Sequence, residues 1–336
     1  MGGNDNRRMS PPSSPPFSTA GHAVLADDSS LQGALRLTDW GLIRARGEDA
    51  ASFLQGQLTN DVASLGPAEA RLAGYCSAKG RLLATFVVWR DGAGDLLLAC
   101  SADLLAQTLK RLSMFVMRAK CKLSDASAEL PLWGAAGDAA LTAFGLAAPG
   151  RPWTHVAIGD TGRAVHLPAA LIDGATVPRV LFVGAAPPPG LPQIDAQTWR
   201  WLEVKSGTPR IEAATVEQFV PQMVNLELVG GVDFQKGCYP GQEVVARSQY
   251  RGTLKRRAYV VHGLEPMQPG QEVFAEADAG QPAGKVVLGG SHAGVHAGLV
   301  ELKIAAAEGG ARHLGAAGGP PLTRGALPYA LPVGAA

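Results

Sequence analysis

The residues best suited to chemistry lie together at 234–243, in the run Phe-Gln-Lys-Gly-Cys-Tyr-Pro-Gly-Gln-Glu. Cys238 follows Lys236 and precedes a Gly-Gln-Glu that reads as the opening of a helix. A thiol just ahead of a helix N-terminus, with a cation beside it, is held where thiolate is favoured over thiol. Thiolate attacks electrophiles and ligates metal, so Cys238 is a candidate nucleophile, metal ligand or redox centre. The same spacing also fits a Gly-Pro turn around a packed cysteine, and these ten residues leave both readings open.

Other runs carry weaker chemistry. Gly289-Gly-Ser-His-Ala293 approaches a nucleophile elbow, but it ends in alanine and lacks a strand-to-helix transition, so it reads as a turn. His292 and His296 stand four apart on a glycine-rich hairpin with no third ligand. Gly280 to Lys285 has the wrong length for a phosphate loop and is followed by Val286 rather than Ser or Thr. Arg251, Lys255, Arg256 and Arg257 put four cations into seven residues. They read as a solvated strand edge, with contact to RNA or an anionic cofactor as the alternative.

These residues must be held by a chain of 336, long enough for two or three domains, with 46% apolar residues to build their cores. Thirty basic residues against 29 acidic ones leave a net charge of +1, which removes any bulk electrostatic case for nucleic acid or membrane binding. Cys76, Cys100, Cys121 and Cys238 are too scattered for a disulfide framework or a structural zinc site, and they fit a reducing compartment. Residues 1–34, with Pro11, Pro12, Pro15 and Pro16 among serines, read as a disordered tail. Arg7 and Arg8 lead into no apolar core, and no run approaches the ~20 residues needed to cross a bilayer, so a cytoplasmic protein is expected.

From residue 35 to 130 the pattern predicts a first α+β domain. A strand over 37–47 is followed by a helix capped by Asp49. Strands then flank the turn Lys79-Gly80-Arg81, another starts at Asp95, and Ser101 caps a helix bearing Leu105, Leu109, Leu112 and Val116. A last strand at 121–123 completes strand-helix-strand-strand-helix-strand, the ferredoxin-like order. A second α+β domain spans 131–250, with a helix after Gly137, strands near 154–158, 163–167 and 179–183, and a helix over 196–205. From 251 to 336, short β-prone pieces between Gly/Pro turns predict a small barrel.

Lys236 to Glu243, continued by Val-Val-Ala-Arg247, resembles the signature of YgfZ-type folate-binding proteins, relatives of the glycine-cleavage T-protein that support iron–sulfur enzymes. Three further segments resemble the same family in order: Asp39-Trp40 with Phe53 to Asp61, Tyr75 to Arg81, and Phe219 to Glu227. The resemblance implies an α+β fold of three domains in a ring, two of them ferredoxin-like and the third a C-terminal β-barrel. It places tetrahydrofolate or a one-carbon folate derivative in the central hole. Trp40 and Trp199 are the implied folate contacts, Trp199 preferred, since an indole offers a stacking face and one N–H donor to a pterin. Lys205, Tyr239, Gln242, Glu243 and Arg247 complete the implied cofactor set, while Cys238 and Lys236 form the implied working pair.

Two departures narrow the chemistry. T-proteins carry an Asp pair just after the Lys-Gly turn, where this chain has Ala84 and Thr85, neither able to act as a carboxylate base. Lys205 replaces a pterin-binding carboxylate, and Glu203, about 200° away round a helix, is not expected to substitute. Lys205 would instead attract the glutamate tail of folate. The resulting expectation is a folate-dependent accessory factor for iron–sulfur cluster assembly or repair, affecting tRNA thiomethylation indirectly. In it Cys238 meets iron or sulfur transiently, Lys236 and Arg247 steady the thiolate, and the partners are iron–sulfur assembly proteins or client enzymes. A folate-dependent one-carbon transferase and an RNA-binding module built on Arg251 to Arg257 are the competing classes.

Overall fold

In the computed structural model, which describes residues 29–147, 150–159, 162–251 and 254–332, the chain builds two five-stranded antiparallel sheets and a closed six-stranded barrel. The described residues open with a single 3-10 turn (Ser29–Leu31) that buries Leu31 completely and leads into β1 (Gly33–Arg36). Of the tail expected over 1–34, residues 1–28 lie outside the described residues, and 29–34 are built into the fold. The correction has a plain cause, since Leu31, Ala34 and Leu35 supply buried apolar surface.

β2 (Trp40–Arg46), β3 (Ala70–Cys76), β4 (Leu82–Arg90), β5 (Leu96–Ser101) and β6 (Lys122–Asp125) form the first sheet, in the order β3-β4-β5-β2-β6. Helices α1 (Ala50–Gln55) and α2 (Ala102–Val116) belong to it. Every residue of β5 is buried, so this sheet is covered on both faces. Neither predicted cap works as expected. Asp49 accepts instead from the backbone N–H of Lys120 at 2.7 Å, and the Ser101 hydroxyl accepts from Arg210 at 3.1 Å.

The second sheet contains β7 (Leu132–Ala136), β8 (His155–Ile158), β9 (Gly162–Ile172) and β10 (Ala175–Val183), with α3 (Asp138–Ala143) and α4 (Ala196–Lys205). Its order is β1-β7-β10-β9-β8, and β1 runs antiparallel to β7 from Gly33↔Ala136 to Arg36↔Trp133. In both sheets four strands follow the ferredoxin-like order and one extra strand, β3 or β8, extends the far edge. The second sheet takes its closing strand from the start of the chain, so a boundary at residue 35 falls inside β1.

The barrel closes as β11-β14-β13-β12-β15-β16, from β11 (Arg256–Gly263), β12 (Glu272–Ala275), β13 (Gly284–His292), β14 (Val295–Lys303), β15 (Arg312–Leu314) and β16 (Pro321–Arg324). Its wall packs against α4. A Cβ at Gly290 would stand 2.2 Å from the Trp201 backbone nitrogen, so the Gly-Gly-Ser-His run is a close-packing seam. His292 is buried there beside Thr198 at 2.9 Å, while His296 bonds Ser291 at 2.6 Å.

Candidate functional site: a thiol loop and a central cleft

The four motif segments meet in one junction. The Lys236 ammonium donates to the carbonyls of Gln55 and Leu58, the latter at 2.6 Å, and lies 5.2 Å from the Tyr239 ring centroid. The Asp233 N–H donates to the Thr59 carbonyl at 2.9 Å, the Thr59 hydroxyl to the Gly231 carbonyl and the Asn60 amide to the Gly230 carbonyl, both at 2.6 Å. On the opposite side, Gly241 (φ 78°) presses on the 77–81 turn so closely that a Cβ there would sit 2.4 Å from the Ser77 carbonyl oxygen. The third segment locks both: Leu82 N–H donates to the Phe219 carbonyl at 2.8 Å, and the Gln222 amide to the Val245 carbonyl at 2.8 Å. Val245 lies in α5 (Gln242–Tyr250), the helix foreseen after Cys238.

This junction presents Cys238 to solvent. Cys76 and Cys100 are buried, which pushes their thiols up to about 12, and the half-buried Cys121 is also raised by burial. Burial brings the Lys236 ammonium down to about 8, against the attraction of Asp61, Asp233 and Cys238. Tyr239 is buried and its phenol raised by burial. Gln242 opens α5 half-buried, and Glu243 pairs with Arg247 at 2.7 Å on the exposed side of that helix. Arg247 is thus committed to Glu243, a solvent-screened pair of small energetic worth.

A separate cleft is lined by Trp40, Thr85, Trp153, Arg179, Glu203 and Arg210, among others. Its framework is ionic. Arg210 donates to both oxygens of Glu203, at 3.2 and 3.1 Å, and to Asp39 at 2.8 Å; Arg200 pairs with Glu212 at 2.8 Å and with Asp39 at 3.2 Å. Burial alone would lower Arg210, but the carboxylates of Glu203, Asp39 and Glu212 raise it above the usual arginine range. The Arg210 guanidinium also lies 4.9 Å from the Trp40 ring, whose buried indole N–H has no partner among the described residues. Thr85 accepts from the Ile211 N–H at 3.1 Å, so the cleft has a hydroxyl engaged with backbone where the T-protein pattern has a carboxylate.

No family model matches the chain. The tRNA-modifying protein YgfZ of Edwardsiella ictaluri is 36% identical over 246 residues, covering 70% of this chain and 72% of that protein. Its counterparts in Sodalis glossinidius and Serratia proteamaculans are each 34% identical, over 239 and 256 residues, covering 70% and 74% of this chain and 73% and 76% of theirs. This chain belongs to the YgfZ family. Aminomethyltransferase T of the glycine cleavage system from Bartonella henselae superposes with a TM-score of 0.68 at 16% identity, over 89% of this chain and 87% of that one. The T-protein fold expected from four short segments is therefore the fold of this YgfZ-family chain.

Two of the residues implied as folate contacts, Trp199 and Lys205, are not among those lining this cleft. Trp199 is 1% exposed and sits behind the cleft wall, against Gly134 and beneath Arg179, whose guanidinium lies 4.8 Å from its ring. Trp40 is the tryptophan of the pair on the wall. Lys205 faces the barrel, with Nζ 3.3 Å from His262 Nε2 and 5.7 Å from the Trp201 ring, and burial lowers its ammonium. Glu203, discounted because of its position on the helix, is the carboxylate that lines the cleft: the turn of α4 that sends 205 to the barrel sends 203 inward. Arg179, Arg210 and Trp153 were missed. The one available signal was a lone cation inside the apolar run Val177 to Val183.

The basic run also changes meaning. Arg257 is 3% exposed and paired with Glu227, and Arg256 bonds Glu301 at 2.8 Å, leaving Arg251 and Lys255 exposed. Among the described residues, no group of three or more His, Cys, Asp and Glu could hold a metal ion, and no helix is long and apolar enough to cross a membrane.

Proposed function

We propose that this chain is a folate-binding accessory protein in iron–sulfur cluster assembly or repair, acting on tRNA modification through client enzymes, with Cys238 as its working thiol. The observation that carries the reading is the junction itself. Three dispersed segments converge on one loop, two through hydrogen bonds and the 77–81 turn through close packing on Gly241, and that loop offers the exposed cysteine of the described four. A loop built only to close a turn has no need of a half-buried ammonium to anchor it.

The cleft's lining matches the chemistry of a pterin, and its open volume of about 30 Å³ requires the walls to part before the ring can enter. A pterin is flat and carries N–H donors on one edge and a carbonyl oxygen beside them. Trp40 and Trp153 supply aromatic surface, Glu203 a carboxylate, and the unpartnered N–H groups of Trp40 and Arg179 supply donors. A bound reduced folate supplies a carrier for one-carbon units. Ala84 and Thr85 leave no carboxylate at the position where the T-protein pattern implies one for aminomethyl transfer. One thiol cannot hold a cluster that takes four cysteine ligands, so the remaining ligands for transiently bound iron come from the client or assembly partner. With two of its four cations paired within the fold, the basic run gives the RNA-binding reading little support.

Cells lacking the protein, complemented with Cys238→Ala or Cys238→Ser, test the thiol. Folate binding by the purified variants stays intact, and tRNA thiomethylation falls. Normal maturation of iron–sulfur enzymes with Cys238→Ala would overturn the assignment.

A further inference from the structure

Arg179 is a buried cation with no carboxylate partner among the described residues. It stands mid-strand in β10, 3% exposed, on the cleft wall with Trp40, Trp153 and Glu203. One terminal nitrogen reaches the Pro168 carbonyl at 3.3 Å, and its Nε has no partner. Among the described residues no Asp or Glu pairs with it, because the nearby carboxylates Glu203, Asp39 and Glu212 carry Arg210 and Arg200. Burial brings its guanidinium down to about 10 even with Glu203 close enough to oppose the shift. Holding an arginine in an apolar strand without a carboxylate partner costs stability, and an oxygen brought by a ligand offsets that cost.

A folate in the cleft, as proposed above, supplies such an oxygen, and the role given to Arg179 rests on that reading. We propose that Arg179 donates to the 4-oxo oxygen of a pterin ring while Glu203 accepts from the ring's N–H edge, so that the cleft selects 4-oxo over 4-amino pterins. Glu203 keeps acceptor capacity, since each carboxylate oxygen takes more than one hydrogen bond. A 4-amino pterin turns an N–H donor toward a guanidinium that can only donate. The ring is a better match than the glutamate tail, because the charged tail gains by staying near water and Arg179 lies among Trp199, Trp40 and Trp153.

Folate and aminopterin, which differ at position 4, are titrated into the full-length protein and its Arg179→Gln and Arg179→Lys variants by calorimetry. Wild type binds folate about 100-fold or more tighter than aminopterin. Gln, which both donates and accepts, brings the ratio within about 5-fold, and Lys falls between. Pteroate and its 4-amino counterpart, lacking the tail, reproduce the same ratios. Unchanged discrimination in Arg179→Gln, or a loss of the Arg179 effect with the tail-less pair, overturns the role given to Arg179 and leaves the folate cleft standing. Failure of wild type to bind any of the four overturns the folate reading and this inference with it. Far-UV circular dichroism and the unfolding midpoint of Arg179→Gln check that the variant is folded.

Discussion

A methyl group added at Gly241 should disturb the Cys238 loop by more than its backbone angle accounts for. Gly241 has φ 78°, where an L-residue costs about 1–2 kcal/mol. Its Cβ would also stand 2.4 Å from the Ser77 oxygen and 2.6 Å from the Gly80 nitrogen, and forcing such contacts apart costs about 1–3 kcal/mol more. Gly94 separates the two effects, having φ 89° and no atom within 4 Å of a Cβ. Gly94→Ala should therefore cost about 1–2 kcal/mol and Gly241→Ala about 2–5 kcal/mol. Gly80 is the other side of the same contact, its Cβ falling 2.8 Å from Val244. The Gly80→Ala/Gly241→Ala double variant should cost less than the sum by at least about 0.5 kcal/mol, because one methyl already opens the gap the other needs. Urea unfolding followed by tryptophan fluorescence gives these differences, and native-state alkylation of Cys238 shows whether the loop has shifted. Equal costs at 241 and 94, or strict additivity of the double variant, would refute the reasoning.

Other outcomes follow from buried charges and thiols. Glu227→Ala leaves Arg257 buried without its carboxylate and should cost about 3–5 kcal/mol, partly recovered in Glu227→Ala/Arg257→Met, as read by thermal unfolding. Burial, with Lys205 beside it, brings His262 down to about 4. Between that value and its unfolded one near 6.5, the unfolded chain binds the extra proton, so stability falls as pH drops through this window. The loss should reach at most about 2 kcal/mol after allowing for partial exposure, and His262→Gln should flatten it in urea midpoints measured across pH. Intact-mass analysis of the native protein with maleimide should show one fast thiol that Cys238→Ser removes, with Cys76 and Cys100 reacting only on unfolding.

Local patterns were legible because local physics sets them. The period of Leu105, Leu109 and Leu112 foretold α2, and the Gly-Gln-Glu after Cys238 foretold α5. β15 and β16 went unseen because three or four residues between glycines and prolines carry no period. The Cys238 loop was legible as a motif, but the anchoring of Lys236 on Gln55 and Leu58 was not, since it joins segments far apart in the chain. The cleft was only partly legible in the sequence. Trp40 faces it, yet whether Glu203 or Lys205 turns inward depends on how α4 rolls between sheet and barrel. Single cations such as Arg179 and Arg210 carry no spacing at all.

The pairing of β1 with β7 makes the first α+β unit an insertion inside the second. During synthesis β1 leaves the ribosome before every strand it will pair with, and it must wait while the first sheet assembles behind it. Closing that long loop is an entropic cost met late, and until then β7 offers an open edge to other chains. Removing the residues up to Arg36 would therefore injure the sheet that lies farther along the chain, an effect that refolding yield and light scattering would reveal.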